Sequence, residues 1–559
     1  MSRPKIADIE IKNERGLRWF VLAGVLFLTS VVPLRAQSYN DLWDFSCPTN
    51  NLCNPVNFGQ FVQGRDGTLY GTVLNGGEQN LGPGGLFNLN QFVNSFHGSN
   101  YSVSGFSAGL TLASDGYFYG TTLSGGTFGY GTVFRADTSL NLTILHSFNG
   151  TDGVTPLTPP VQGPDGNLYG VTSSGTTYRI TLPAGTFKQL TKNIPNNYPT
   201  TQYATLAPLY LASDGNLYGI SAAGGKSGNG TVFQMTTTGA ISVVYNFTGG
   251  TDGATPYGPL TQGGGADTNL YGTTSGGGSN GCGAIFKLTL KGAFTPLYSF
   301  DACSSGFNDD GAAPYPGLLA VNGQLYGANT DGGANGEGTI YQVTTTGTFT
   351  KLFDLGSAVA DGTYPYATLM LGTDGTIYGT TFNGGAGNGG VLFSVVLPTP
   401  VLILRVEGPI FVRPGVPVQF LGIHLTQAFE VTFAREQAEF SPQADTFMTV
   451  QVPSDAVDGV VAVTLDTGLQ YQTQSAIHVL PIITDLDPIS GAPGTQVVIT
   501  GGGFAGAKKV SFGGVKATTF SVQDPMHILT TVPAAAKTGK VTVTTPNGTV
   551  KSKQTFTVN

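Results

Sequence analysis

The sequence predicts an all-β chain, a seven-bladed β-propeller followed by two tandem immunoglobulin-like β-sandwiches, and three observations predict it. A tyrosine-bearing motif recurs seven times, at Tyr70, Tyr119, Tyr169, Tyr218, Tyr271, Tyr326 and Tyr378, with spacings of 49, 50, 49, 53, 55 and 52 residues. Repeats of this length that read as strands indicate an array of supersecondary units rather than one continuous core. Each interval holds short runs of alternating apolar and β-branched residues divided by Gly, Asp, Asn and Pro. The 559 residues include 83 glycines while only 10% are charged, a composition that disfavours helices and suits turns.

The motif reads RDGTLYGT, SDGYFYGT, PDGNLYGV, SDGNLYGI, ADTNLYGT, VNGQLYGA and TDGTIYGT in chain order. Each unit divides into four strands. In the fifth they are TPYGPLTQG, NLYGTT, GAIFKLTL and FTPLYSF. Four strands per unit of about 50 residues match propeller blades, which number four to eight per ring. The Asp-Gly pairs before the second strand, at Asp66, Asp115, Asp165, Asp214 and Asp374, predict two-residue type I′ hairpins with a structural role for each Asp. The ring is expected to close by strand exchange. LWDFS, residues 42–46, has the fourth-strand pattern of LHSFN, VYNFT and LYSFD, and the last unit ends after its third strand, VLFSVV. The N-terminal strand would then complete the seventh blade and remove an exposed edge.

The glycine loops and the tyrosine signature stop after VLPTP, which sets a boundary near residue 400. Residues 400–480 and 481–559 carry short alternating strands at the turn density of sandwiches. The expected organisation is a leader at 1–36, the propeller at 38–397 and the two sandwiches.

The pattern LYGTTxxGGxxGxGTVF followed by LYSFxGxDGxxP resembles the GloVer, or choice-of-anchor, tandem repeat of exported bacterial proteins and covers nearly all of residues 42–397. The match is strongest in blades two, four, five and seven; blade three lacks the long glycine loop and blade one extends it. PISGAPGTQVVITGGGF, VSFGG, TTVP and VTVTTPNG in the final segment resemble the IPT/TIG family of immunoglobulin-like domains, and residues 400–480 repeat that outline more loosely. The repeat resemblance implies no known enzymatic activity.

Twenty-five basic and 33 acidic residues give a net charge of −8 with no long run of one sign. That balance argues against a nucleic-acid partner. Lys5, Lys12, Arg15 and Arg18 precede the apolar run Trp19 to Val32, followed by PLRAQS. This describes a secretory signal cut after Ala36, hence a secreted or cell-surface protein; an uncleaved membrane anchor is the competing reading. Four cysteines on an exported chain predict two disulfides, Cys47 to Cys53 within one crossover and Cys282 to Cys303 at one end of adjacent strands.

The loop LYGISAAGGKSGNGTVF, residues 217–233, places Lys226 and Ser227 among glycines in the manner of a phosphate loop. That motif needs glycine where Ile220 stands and a helix after the serine, whereas a strand pattern follows, so nucleotide binding is not expected. Of the histidines, His97 and His146 lie at fourth strands, and His424, His478 and His527 lie beyond the propeller; no local sequence supports a Ser-His-Asp set. Cysteine spacing fits no zinc site. Calcium would suit the carboxylates and carbonyls but has no loop motif here, so no cofactor is expected.

Carboxylates carry the remaining possibility, because two acids suffice for glycoside hydrolysis. GTDGVTP, GTDGATP, NDDGAAP and VADGTYP place Asp152, Asp252, Asp310 and Asp361 in the crossovers between blades, with Asp309 beside Asp310 as an exception to the repeat. Crossovers and glycine loops should emerge on one polar face. Recurrence in several blades favours a turn-shaping role for these acids over ligand contact. The sequence thus points to a non-catalytic surface protein presenting that face to an extracellular glycan or protein. A polysaccharide hydrolase or lyase using the same acids is the alternative, and a structural envelope protein comes third.

Overall fold

The computed structural model describes residues 38–46, 61–73, 85–88, 91–95, 104–106, 109–191, 207–301, 309–358, 361–397 and 403–559. The expected leader, Cys47, Cys53, Cys303 and His97 lie outside the described residues. The described chain is all β apart from one short 3-10 turn at Leu425–Gln427.

Between residues 38 and 397 the strands form seven antiparallel blade sheets, six of four strands and one of five, and one two-stranded ribbon, Gly362–Thr363 with Asn383–Gly384. Within each, strands follow chain order, except that the sheet of residues 370–396 takes Ser38–Ser46 as its outer strand. Ser38 stands opposite Val396 and Ser46 opposite Asn388. The N-terminal strand therefore closes the last blade, as its resemblance to fourth strands predicts.

The recurring Leu-Tyr-Gly motif has a packing reason at each residue. Tyr218 is buried on the second strand of its blade, Leu217–Ser221. Its phenol donates to the Asp214 carboxylate four residues earlier at 2.9 Å, and the same bond recurs at Tyr70, Tyr119, Tyr169, Tyr271 and Tyr378. A buried hydroxyl without a partner would cost about 1–3 kcal/mol, so the Asp is part of what lets Tyr enter the core. Tyr326 follows Asn322 instead of an Asp and is also buried; Tyr378 is half-buried. Gly219 lies directly across from Phe233 of the third strand, whose ring covers it. A β-carbon there would sit 2.4 Å from the Phe233 Cζ, which leaves glycine as the fitting residue. Gly71, Gly120, Gly170, Gly272, Gly327 and Gly379 face Phe87, Phe134, Tyr178, Phe286, Tyr341 and Phe393 in the same register.

Blades pack on one another through apolar clusters. One joins Tyr218, Ile220 and Val232 of blade four to Leu260, Leu270 and Phe286 of blade five; another joins Phe45, Met370 and Leu392 of the last blade to Phe61, Leu69 and Phe87 of the first. Each fully buried large side chain contributes roughly 1.5–3 kcal/mol of transfer free energy. Polar bridges repeat the contact. Gln63, Gln162 and Gln262 each donate to a carbonyl of their own hairpin and accept the backbone N–H of Thr373, Ser114 or Ser213 in the preceding blade's hairpin, at 2.9 to 3.0 Å.

The hairpins correct one expectation. Gly67 donates to the Gly64 carbonyl at 3.0 Å, and Gly67 alone of the Asp-Gly pair has positive φ, +78°. The loop is a type I turn followed by a left-handed glycine rather than a type I′ pair. Asp66 is then free to use one oxygen for the Thr68 N–H and the other for Tyr70. The same single positive φ occurs at Gly116, Gly166, Gly215 and Gly375.

Residues 403–479 pack around one core that includes Phe420, Phe433, Met448, Val463 and Tyr471. Residues 482–558 form two sheets around Val497, Phe504, Phe512, Ile528 and Phe556. Asn547 of the second unit donates to Asp458 and to the Val479 carbonyl of the first.

The first sandwich sits against the hairpin face of the propeller. Arg65, in the first blade's hairpin, forms a two-pronged bond with Glu407, Nε to Oε2 and Nη2 to Oε1 at 2.8 Å each, and lies 4.7 Å from the Phe447 ring centre. The Glu407 side chain is fully buried. Burial raises its carboxyl above the ordinary value, and Arg65 opposes the rise. Thr446 donates to the Arg65 carbonyl, and Gly265 donates to the Gln474 carbonyl. Among the described residues, the opposite face, made of crossovers and glycine loops, carries none of these contacts.

Candidate functional site

On that opposite face, the crossovers into blades five, six and seven are each stitched to the glycine loop of the blade they enter. Ala254 and Gly276 exchange backbone bonds of 2.7 and 3.1 Å, Ala312 and Asp331 exchange bonds of 2.8 and 3.2 Å, and Gly362–Thr363 pairs with Asn383–Gly384. Backbone groups that loops would otherwise leave unpaired are thereby satisfied. Among the described residues, the polar face is a bonded surface rather than a set of loose loops.

The four crossover aspartates lie within this stitching. Asp252 accepts the Thr248 N–H, the Thr248 hydroxyl and the Tyr245 phenol. Burial pushes its carboxyl up, but these hydrogen bonds outweigh it and the net shift is downward. The Tyr245 phenol is pushed up to about 12 by burial and by Asp252. Asp310 accepts the Tyr298 phenol at 2.7 Å and the Asp301 N–H at 3.0 Å, yet burial still leaves its carboxyl raised. Asp152 accepts the Asn149 N–H and pairs with His146 Nε2 at 3.0 Å. His146 stacks on Phe187 with ring centres 3.5 Å apart, and burial lowers its pKa against the pull of Asp152. Asp361 accepts the Ala358 N–H and the Ser357 hydroxyl. Asp309 differs: its side chain is 91% exposed and meets Lys351 Nζ at 2.6 Å.

These acids are spread over successive blades and are not brought together. Lys226 and Ser227 are exposed at the tip of their glycine loop, and the Lys226 N–H donates to Asn246. The next element is the strand Thr231–Met235, so no helix terminus is present to hold a phosphate. Among the described residues no group of three or more His, Cys, Asp or Glu could hold a metal ion. Cys282 is buried, and its expected partner Cys303, like Cys47 and Cys53, lies outside the described residues.

Sequence reading missed an aromatic arc on this face. Tyr257, Tyr315 and Tyr366 each follow the crossover proline of blades five, six and seven. Their ring centres are 5.0 and 5.7 Å apart, and Phe382 extends the row at 5.7 Å from Tyr366. All four are half-buried. The signal was present as TPY, APY and YPY, but the corresponding position in blade three is Leu157, so the triplet does not stand out in a search for features common to all blades. Beside the arc, an open cavity of about 560 Å³ lies between the glycine loop of blade six and the entry to blade seven, lined by Glu337, Ser357, Asp361, Tyr364, Asn383 and Asn388 among others.

A ring of four-stranded repeats with a bonded loop face defines a tandem-repeat propeller. The Gloeobacter/Verrucomicrobia repeat matches residues 56–266 and 265–404, and the chain belongs to that family. Residues 481–558 match the IPT/TIG domain. No curated protein matches the chain. Solved structures with a similar outline include a fungal alcohol oxidase of the AA5 family in complex with copper, 13% identical with a TM-score of 0.43 over 78% of this chain and 100% of that one. An oligogalacturonate lyase from Vibrio parahaemolyticus is 11% identical with a TM-score of 0.41 over 65% and 97%. A surface glycan-binding protein from Prevotella bryantii is 14% identical with a TM-score of 0.20 over 28% and 41%. Likeness at these levels transfers no activity or ligand to this chain.

Proposed function

We propose that the protein is an exported, non-catalytic binding protein whose propeller receives an extracellular glycan on its crossover face, with the two sandwiches acting as a spacer on the other side. The observation that carries this reading is the half-buried arc of Tyr257, Tyr315 and Tyr366. Aromatic rings offer broad apolar contact at low conformational cost, with a polar tip to hydrogen-bond. The hydrogen bonds that occupy Asp152, Asp252, Asp310 and Asp361 support a structural role for the acids and hence binding without turnover. Export rests on the basic and then apolar N-terminal segment. No described helix is long and apolar enough to cross a membrane.

The hydrolase or lyase alternative draws on Asp310, whose raised carboxyl is the direction a general acid needs. Screening the full chain against a polysaccharide panel for retention and for release of reducing ends or unsaturated products separates the two. Retention without product is the expected result; product formation abolished by Asp310→Asn would establish the alternative.

A further inference from the structure

Blade seven breaks the repeat where the cavity beside the arc lies. The residue before each crossover proline has a left-handed backbone: Thr155 at φ 47°, Thr255 at 50°, Ala313 at 52° and Tyr364 at 58°. Each donates its N–H to the preceding blade's glycine loop, at the carbonyls of Tyr130, Asn229, Cys282 and Glu337 respectively. The backbone conformation therefore belongs to the fold, and the side chain is the variable. A bulky aromatic at positive φ is an unfavourable choice for stability alone. Only in blade seven is that position a tyrosine among the four described.

A second departure sits across the cavity. Three residues before the third strand, blades two, four, five and six carry Gly129, Gly228, Gly281 and Gly336, all with φ between 77° and 87°; the equivalent loop position of blade seven is Asn388 at φ 50°, where its longer third strand begins. Asn is among the few side chains that tolerate this region. Both departures line the same cavity, together with Glu337 and Asp361. Its volume lies within the range of about 300–1,000 Å³ usual for small-molecule sites.

We infer that the cavity between blades six and seven is the binding subsite for one residue of a neutral saccharide, with Tyr364 as its stacking platform and Asn388 as a specificity residue. This rests on the glycan-binding reading above and assigns it a place and a ligand class. The lining offers carboxylate and amide groups that accept and donate hydrogen bonds to hydroxyls. It contains two acids, Glu337 and Asp361, and no Lys, Arg or His, so a uronate or other anionic sugar would meet like charge. Asn383 extends the polar lining, and Phe382 next to it joins the cavity to Tyr366 of the arc.

The test is affinity electrophoresis of the full chain in gels containing galactomannan, xylan, mixed-linkage β-glucan or polygalacturonate. A neutral polymer should retard the chain and polygalacturonate should not. Tyr364→Thr and Asn388→Gly install the residues that sibling blades already hold at these backbone angles, so thermal unfolding should stay near that of the parent chain. Tyr364→Thr should weaken retention about thirtyfold, the scale of losing an aromatic anchor of about 2 kcal/mol. Asn388→Gly should weaken it about tenfold, and Tyr364→Phe should keep most of it. Retardation by a neutral polymer that both variants leave unchanged would overturn the subsite while leaving the glycan reading intact. Preference for polygalacturonate would overturn the ligand class. A chain retarded by no polymer would remove the glycan reading and this subsite with it.

Discussion

The two faces of the propeller are built from the same seven repeats and are put to opposite uses. On the hairpin face Asp binds Tyr in six of the seven units, Gln bridges to the preceding blade in three, and the first sandwich covers the surface through Arg65 and Glu407. On the crossover face the backbone is equally constant, but the side chains differ from blade to blade. Thr155, Thr255, Ala313 and Tyr364 share one backbone conformation and carry three different side chains. A repeat fold can thus hold its geometry with one set of bonds while leaving another set of positions to vary, and the varied positions are where recognition is to be sought.

The sharpest way to break this comparison is at the hairpin face. Arg65→Ala leaves the Glu407 carboxylate buried without its opposite charge, and denaturant unfolding should show a loss of about 3–5 kcal/mol. A loss below about 1 kcal/mol would mean that the sandwich is only loosely held there. Gly219→Ala forces a β-carbon into the Phe233 ring and should cost about 1–3 kcal/mol by overpacking. The matching substitution in any other blade should cost a similar amount, because the register is the same.

Smaller effects distinguish the crossovers by their pH dependence. Asp252 has a lowered folded-state pKa, so its stabilisation is present above the ordinary value of 3.8 and is lost as pH falls through the lowered value. Asp310 has a raised one, so its favourable contribution is present below 3.8 and is lost as pH rises through the raised value. Asp252→Asn should therefore lower the melting temperature at neutral pH, by the equivalent of about 1–2 kcal/mol, and cost less in strong acid. Asp310→Asn should be better tolerated at neutral pH than Asp252→Asn, and the reverse order in melting curves would contradict the assignment. The smallest effect is expected at Lys226→Ala, within about 0.5 kcal/mol, because its side chain is exposed and only its backbone N–H is bonded.

What was legible in the sequence follows from the range of the interactions. The Leu-Tyr-Gly motif, the four-strand units and the closing strand LWDFS are written in local patterns that repeat, and repetition averages out chance. The C-terminal sandwich was legible for the same reason, as strands and turns at regular density. The Asp-Gly pairs correctly marked turns, but the turn type depends on which of the two residues takes positive φ, and composition does not separate those cases. Arg65 and Glu407 are 342 residues apart, and nothing local to either points to the other. Tyr364 lies in VADGTYP, where the aspartate is the residue that the repeat makes visible; its left-handed backbone and its cavity emerge only once the neighbouring glycine loop is in place. The features particular to single blades were the least legible, because the periodicity that reveals the fold also hides departures from it.

The most direct test of the central claim is a calorimetric titration of the full chain with the neutral polysaccharide that retains it best, repeated for Tyr315→Ala combined with Tyr366→Ala on the crossover face and for Asn322→Gly on the hairpin face. Asn322 already has a left-handed backbone, φ 48°, so glycine fits there without strain. The prediction is that the double variant loses binding while Asn322→Gly binds as the parent chain does. Binding that survives loss of both tyrosines, or fails at Asn322→Gly, would place recognition away from the crossover face and contradict the division of labour between the two.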